Sequence, residues 1–399
     1  MRGKAIALVM AGLASLGAGQ SLIDALSGQP SLSNLTTYLN LYPDFKNQLE
    51  SMSNITLLAP TNTAFMQLLN SSNGAAIQAN DRSTIEAFFS YHVLNGTYQD
   101  FSSTPQFPTT LLTSPMYANL TGGQVVEAIG SGRGNSGNST AVFYSGLLQN
   151  SSTVGKSTNF SEGVIHAVDR FLMIPENITE TAIQLNLRAA VGALQVANMA
   201  DSIDTMTDIT CFIPDNAAFQ RIASSLATAT PQEISHILQY HTINGTVAYG
   251  TSLQNGTSLR TMEGANVTIT IDKGEIYVNS ARVSTPNVLV ANGVVHVIDN
   301  VLNPANATAK PNPTASTQTP AFSSASSTGT NVPFTSGVPT PTSSINTEAP
   351  TSQASAAAPS ASSTASASSS SSSGAAMPMN TGGVGTAALL GGAALLMNM

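Results

Sequence analysis

The chain is 399 residues long, 42% hydrophobic and only 9% charged, with a formal net charge of −8. That length holds two or three domains, and the sparse, net acidic charge leaves no basic footprint for nucleic acid or an anionic membrane surface. A single cysteine, Cys211, excludes an intrachain disulfide framework, so each domain must be held by its core.

The N-terminus carries Arg2 and Lys4, an apolar run over residues 5–16 and small residues at Gly17, Ala18 and Gly19. This order is that of a secretory signal over residues 1–19, cleaved near Gly19. In residues 21–50, Leu22, Ile23 and Leu26 and then Leu35, Leu39 and Leu41 recur at helical spacing, with Pro30 and Pro43 bracketing the second group. Two short helices are predicted there, leading into a strand over residues 56–59. Asn62 stands where it can cap a helix that carries Phe65, Leu68 and Leu69 into the core. Ile85, Phe88 and Phe89 predict another helix over residues 83–91. Strands are expected at residues 124–128 and 141–144, with a Gly-rich flexible loop between them at residues 130–137.

The same order then recurs. Helices are predicted over residues 180–200, 216–226 and 232–240, the last entered by Pro231 at its first position. Strands follow at residues 266–272 and 275–279, joined by a Lys273-Gly274 turn of hairpin type. Helices first and strands afterwards argue for an α+β fold rather than a parallel βαβ sheet. Past Pro304 the composition turns to Ser, Thr, Ala and Pro, with Lys310 and Glu348 the only charges to the C-terminus. Such a segment buries too little apolar surface to offset its ordering entropy, so residues 305–373 are expected to form a disordered, O-glycosylated stalk. Residues 374–399 have the order of a glycosylphosphatidylinositol (GPI) signal. Small residues lie at Ser373, Gly374 and Ala375, a spacer runs to Gly383, and the apolar run over residues 384–397 is too short and Gly-rich to span a bilayer well. Attachment is expected at Ser373 or Gly374, which places the chain on the outer face of the plasma membrane, in a cell wall or matrix, or in the vacuole.

Three blocks occur twice in the same order. Thr56-Leu57-Leu58-Ala59-Pro60-Thr61-Asn62-Thr63-Ala64-Phe65 matches Thr210-Cys211-Phe212-Ile213-Pro214-Asp215-Asn216-Ala217-Ala218-Phe219. Tyr91-His92-Val93-Leu94-Asn95-Gly96-Thr97 matches Tyr240-His241-Thr242-Ile243-Asn244-Gly245-Thr246. Gly163-Val164-Ile165-His166-Ala167-Val168-Asp169 matches Gly293-Val294-Val295-His296-Val297-Ile298-Asp299, where apolar alternation and β-branched residues predict a strand in each copy. This is a tandem duplication. The blocks resemble the fasciclin domain, with its Thr-x-x-x-Pro-x-Asn-x-Ala-Phe segment, Tyr-His pair and closing Gly-Val-[Ile/Val]-His-x-[Ile/Val]-Asp strand. The resemblance implies two compact β-sandwich (wedge) domains with flanking helices, at residues 20–175 and 176–304. It also implies a role in adhesion or matrix organisation at the cell surface.

Tyr91, His92, His166 and Asp169 in the first unit answer to Tyr240, His241, His296 and Asp299 in the second. Two histidines per unit without a cysteine partner do not make a tetrahedral metal set, so these residues are expected to be structural, each histidine bonding backbone near the core. No Gly-x-Ser-x-Gly elbow or His-Glu-x-x-His helix is present, and neither a catalytic set nor a cofactor is expected. Cys211 takes the place of Leu57 and reads as an inert core residue. Sequons for N-glycosylation lie at Asn34, Asn54, Asn70, Asn95, Asn119, Asn138, Asn150, Asn159, Asn177, Asn244, Asn255, Asn266 and Asn306. Asn95 and Asn244, equivalent and just past the Tyr-His pair, rank first; Asn54 and Asn266, in or beside strands, rank last.

In animal members of the family an integrin-reading segment precedes the closing strand. Its counterpart here is Pro286-Asn287-Val288, where Asn287 stands in place of the acid that a cation-dependent receptor would coordinate. The function expected is non-catalytic adhesion or wall organisation. Its partners would be matrix or cell-wall proteins and polysaccharides, further copies of the chain, and a membrane through the GPI lipid. A glycan-binding module is the alternative, against which the absence of Trp weighs.

Overall fold

A computed structural model describes residues 19–71, 74, 81–133 and 139–341. Residues 1–18 of the signal segment, residues 134–137 of the Gly-rich loop, Asn138, the distal stalk and the anchor residues Ser373 and Gly374 lie outside the described residues, whereas residues 130–133 of that loop continue the strand that begins at Glu127.

The first unit opens with α1 (Leu22–Ser27), α2 (Ser33–Leu41) and α3 (Pro43–Ser51), then β1 (Ile55–Pro60), α4 (Asn62–Leu69) and α5 (Arg82–Tyr91). Strands β2 (Val93–Asn95), β3 (Glu127–Arg133), β4 (Ser139–Tyr144), β5 (Asn150–Ser152), β6 (Thr158–Phe160) and β7 (Gly163–Val168) complete it. The second unit runs α6 (Ile178–Gln184), α7 (Arg188–Val196), α8 (Ala200–Thr205), β8 (Ile209–Pro214), α9 (Asn216–Arg221), α10 (Ala223–Leu226) and α11 (Pro231–Tyr240). It ends with β9 (Thr242–Ile243), β10 (Ser258–Arg260), β11 (Asn266–Asp272), β12 (Glu275–Val278), β13 (Ala281–Val290) and β14 (Gly293–Ile298).

The α+β reading stands with one correction: the central strand pair of each unit is parallel. β1 lies beside β7 from Ile55 opposite Gly163 to Pro60 opposite Val168, and β8 lies beside β14 from Ile209 opposite Gly293 to Pro214 opposite Ile298. The remaining ladders are antiparallel. In the second unit they join into one sheet of order β10-β11-β12-β13-β14-β8-β9, whereas the first unit divides into β2-β1-β7-β6 and β3-β4-β5. The division falls where the long β13 has two short counterparts: β6 pairs with β7, β5 pairs with β4, and only a bridge from Thr153 to Val168 spans the gap. Each unit buries one apolar cluster against its helices, around Phe65, Phe89 and Phe171 or around Val191, Phe219 and Val301. It buries a second cluster around Tyr91 and Phe143 or around Phe212 and Tyr240.

Local chemistry explains where the predicted elements moved. Thr61, not Asn62, caps α4, its hydroxyl accepting from the Ala64 N–H at 3.3 Å. Asn62 sits one position inside and ties α2 down instead, accepting from the Asn34 N–H at 2.9 Å and donating to the Pro30 carbonyl at 3.0 Å. The single helix expected over residues 180–200 is three, because Asn186 and Asn198 take left-handed backbone (φ 58° and 53°) that ends each helix before the next begins. The helix expected at residues 216–226 breaks at Ile222 (φ −111°, ψ 18°). α11 begins as predicted, with Pro231 in its first turn and a capping box in which Thr230 and Glu233 satisfy each other's backbone N–H. The strand expected at residues 124–128 begins only at Glu127.

The stalk begins later than composition suggests. Residues 305–341 form no strand or long helix, yet they lie on the second unit. Gln318, Ala321 and Val338 are buried, and Phe322, Val332 and Phe334 pack against its helical cluster. The rest of the predicted stalk lies outside the described residues.

Gly163 and Gly293 open the two closing strands, and a Cβ on either would meet the carbonyl of Ile55 or Ile209 on the parallel neighbour. Gly293→Ala is therefore expected to lower the stability of the second unit by about 1–3 kcal/mol, read as a shift in the denaturant midpoint; an unchanged midpoint would show that the strands have room to part.

Candidate functional site

The paired histidines act as backbone bridges. His92 donates from Nδ1 to the Phe88 carbonyl at 2.7 Å and accepts at Nε2 from the Leu172 N–H at 3.0 Å. His241 repeats this with the Ile237 carbonyl at 2.7 Å and the Leu302 N–H at 2.9 Å. Each ring thus ties the end of the helix before the Tyr-His pair to the segment that follows the closing strand. His166 bonds the Tyr98 carbonyl at 2.7 Å and His296 the Ala248 carbonyl at 2.8 Å, joining the closing strand to the loop beyond β2 or β9. An imidazole that donates at one nitrogen and accepts at the other is neutral. Burial pushes His92, His241 and His296 down to about 4, and it also lowers His166. These side chains are consumed by the main chain.

The other repeated residues do similar work. The Thr56 hydroxyl donates to the Gly96 carbonyl (2.7 Å) and accepts from the Tyr98 N–H (2.8 Å), and Thr210 makes the same pair with Thr246 and Ala248. The Tyr91 and Tyr240 hydroxyls donate to the carbonyls of Val125 and Asn266. Asp169 accepts from the Ser152 N–H at 2.7 Å, and Asp299 from the Arg282 N–H at 2.8 Å. Cys211 is buried beside the Thr242 hydroxyl, and burial pushes its thiol up to about 12, so it is not a thiolate at neutral pH. Among the described residues no three His, Cys, Asp or Glu side chains gather as a metal set, and no helix is long and apolar enough to cross a membrane.

The feature that sequence reasoning missed is the joint between the two units. Asn119 donates from its backbone to the Ala291 carbonyl (2.7 Å) and from its side chain to the carbonyls of Thr205 (2.9 Å) and Met206 (3.1 Å), while accepting from the Thr207 hydroxyl. Thr121 bonds Asp208, Gln124 donates to the Val290 carbonyl at 3.1 Å, and the rings of Phe107 and Tyr249 stack with centroids 4.1 Å apart. At the centre the Asn287 amide donates to Glu127 Oε1 at 2.8 Å. Glu127 is fully buried and its second oxygen has no partner. Burial, opposed only by that Asn287 bond, pushes its carboxyl up to about 7.

Asn287 belongs to the counterpart of the integrin-reading segment, Pro286-Asn287-Val288. All three are buried. The β13 ladder bulges between Thr285 and Val288, and Asn287 takes left-handed backbone (φ 58°). The bulge aims the amide into the joint, where it also accepts from the Gly250 N–H at 2.7 Å.

The sequons separate by what their amides do. Asn54, Asn70, Asn95, Asn159, Asn244, Asn255, Asn266 and Asn306 are exposed, Asn54 and Asn266 included, and Asn34, Asn150 and Asn177 are half-buried. Asn119 has both amide hydrogens committed across the joint, so a sugar there would break it. On the first unit an open groove of about 600 Å³ is lined by Thr61, Asn62, Gln67, Val154, Asp169 and Arg170, among others.

The fasciclin domain family model matches residues 30–175 and 185–304. A fasciclin-like arabinogalactan protein of Arthroderma benhamiae is 36% identical over 82% of this chain and 76% of its own. The fasciclin-like arabinogalactan protein CTB11 of Cercospora beticola is 29% identical over 75% of this chain and 80% of its own. Among solved structures, a FAS1 domain pair from the insect cell adhesion molecule fasciclin I covers 70% of this chain and 98% of its own, at 15% identity and a TM-score of 0.33.

Glu127 yields a pH prediction. A carboxyl raised from 4.5 to about 7 stays protonated in the folded joint while the unfolded chain ionises, so its contribution is full below pH 4.5 and lost as pH rises through 7. The loss is on the order of 3 kcal/mol. Glu127→Gln, which keeps the shape and the acceptor for Asn287, should remove this fall. Denaturant titrations of both proteins at pH 5 and pH 8 measure it, and equal pH responses would refute the assignment.

Proposed function

The chain belongs to the fasciclin domain family, and from that premise we propose that it is a non-catalytic surface glycoprotein that gives cohesion to a cell wall or extracellular matrix. A GPI lipid attached at Ser373 or Gly374 would hold it at the outer face of the plasma membrane. The observation that carries this reading is the locked tandem. The two domains share a joint of hydrogen bonds and one stacked ring pair, with a buried Glu127–Asn287 contact at its centre. They act as one rigid spacer whose exposed faces carry Asn95 and Asn244, the sequons we assign first to glycans. The likeness to fungal fasciclin-like arabinogalactan proteins supports the wall as the setting.

The open groove on the first domain favours a second reading, in which Arg170, Asp169, Asn62 and Gln67 take part in binding a wall polysaccharide. Among its lining residues there is no aromatic platform of the kind on which sugars stack, which ranks this reading second.

Treatment of intact cells with phosphatidylinositol-specific phospholipase C, after removal of any inositol acylation, is expected to release the chain without its last residues. Mass mapping of the released protein should find glycans at Asn95 and Asn244 and none at Asn119. A mature chain that retains its C-terminal peptide rules out the lipid. Cells that lack the protein yet keep normal attachment and wall integrity rule out the cohesion role.

A further inference from the structure

Residues 318–338 cross the second domain as a strap. They are held at one end where the amides of Asn300, Asn303 and Asn306 donate to the carbonyls of Thr319 and Ala321. The strap then passes α10, where Ser224 and Ser326 exchange two hydrogen bonds, and α9, where Gln220 donates to the Gly329 carbonyl at 3.2 Å. It finishes over α7, where Arg188 donates to the carbonyls of Thr335 (2.9 Å) and Val338 (2.7 Å). Nearly all the hydrogen bonds it makes to the domain fall on its main chain. Its apolar grip comes from Phe322, Val332, Phe334 and the buried Val338.

The groove beneath is built for this occupant. The Phe334 ring meets Phe219 edge-on with centroids 6.3 Å apart, and its carbonyl lies where a Cβ on Gly192 would be. The first domain has no such seat. Asn62 accepts from the Asn34 N–H just as Asn216 accepts from the Ala189 N–H, which aligns α2 with α7 and sets Thr37 against Gly192 and Tyr38 against Ala193. Tyr38 there stacks on Phe65 at 5.3 Å, as Phe334 of the strap meets Phe219, and Thr37 carries the side chain that Gly192 lacks. The first domain completes its helical layer from within, and the second completes it with a linear segment from outside the repeat.

A segment that binds through its main chain and a few apolar anchors, and is joined to its domain through residues 307–317, fits the same groove on another molecule equally well. We propose that the groove over Gly192 is a peptide-binding site whose ligand is residues 318–338 of this chain, taken from its own C-terminus or, by exchange, from a second copy. The tether gives the resident strap a high effective concentration, so exchange belongs to crowded surfaces where neighbouring copies face each other. This deepens the cohesion reading by naming the partner as a second copy, and its test in solution does not depend on anchoring or on any wall.

Two full-length variants separate strap from groove. Gly192→Ala improves the helix, because Ala is the better helix former, while its methyl group blocks the seat; this chain has a free strap and a closed groove. Phe334→Asp puts a charge on the anchor, leaving an open groove and a disabled strap. By analytical ultracentrifugation each alone should be monomeric and an equimolar mixture should form a 1:1 complex, with wild type dimerising only at high concentration. A labelled synthetic peptide of residues 318–340 should bind the Phe334→Asp chain at least tenfold more tightly than the Gly192→Ala chain. Should circular dichroism show the Gly192→Ala chain unfolded, Arg188→Ala, which loses the hydrogen bonds to the carbonyls of Thr335 and Val338, serves as the weakened-groove partner. A mixture of folded variants that stays monomeric, or a peptide that does not distinguish the two grooves, overturns the proposal.

Discussion

Each domain depends on one long-range contact, the parallel pairing of the strand that opens the sheet with the strand that ends the repeat. Ile55–Pro60 beside Gly163–Val168, and Ile209–Pro214 beside Gly293–Ile298, close the chain over almost the whole domain. Closing so long a loop costs entropy before any local contact offsets it. The repeated motifs are the side chains that hold this closure. The glycine lets the strands approach, the threonine of the first strand clamps the loop beyond the Tyr-His pair, and the two histidines bridge that neighbourhood to the closing segment. The threonines, tyrosines and histidines of the family signature are thus the hydrogen-bonded interior of the fold.

What could be read from the sequence follows from that. Duplicated blocks expose the shared frame, because the same closure demands the same residues twice, and β-branched alternation at Val295 and Val297 is enough to mark the closing strand. The joint could not be read in this way, because nothing in a repeat says how its copies meet. Glu127 is a lone acid in the apolar run Val125-Val126-Glu127-Ala128, and that conflict was the one signal available. Asn287 was legible as a departure from an acidic position but not as a bond to the other domain, since the bulge that turns it inward appears only in the register of β13 against β14. Asn62 failed as a cap for a similar reason: two adjacent residues could each cap α4, and the choice depends on α2 being near enough to claim the amide.

The strap shows where composition misleads. A Ser-, Thr- and Pro-rich stretch lacks the apolar content to fold by itself, and that argument is sound for the segment taken alone. It does not hold beside a surface with an unfilled seat, where Phe322 and Phe334 complete a core that already exists. The asymmetry between Tyr38 and Ala193 was present in the sequence, but it becomes informative only once α2 and α7 are aligned through the amides of Asn62 and Asn216. The second domain therefore extends past Pro304, beyond the edge that the repeat defines.

Protonation acts on the domains and on their joint in opposite directions. The bridging histidines are neutral and buried, with His92, His241 and His296 held at about 4, so the stability they contribute is present above pH 6.5 and lost as pH falls through 4. Glu127 behaves inversely, because its carboxyl prefers to keep its proton up to about pH 7. Between these limits acid leaves the joint at its tightest while it begins to strain the interior of each domain, and a neutral medium relaxes the interior while it charges the joint. Between about pH 4 and pH 7 the folded chain therefore keeps the three imidazoles neutral and Glu127 protonated, while each contributes less stability than on its own favoured side of that range.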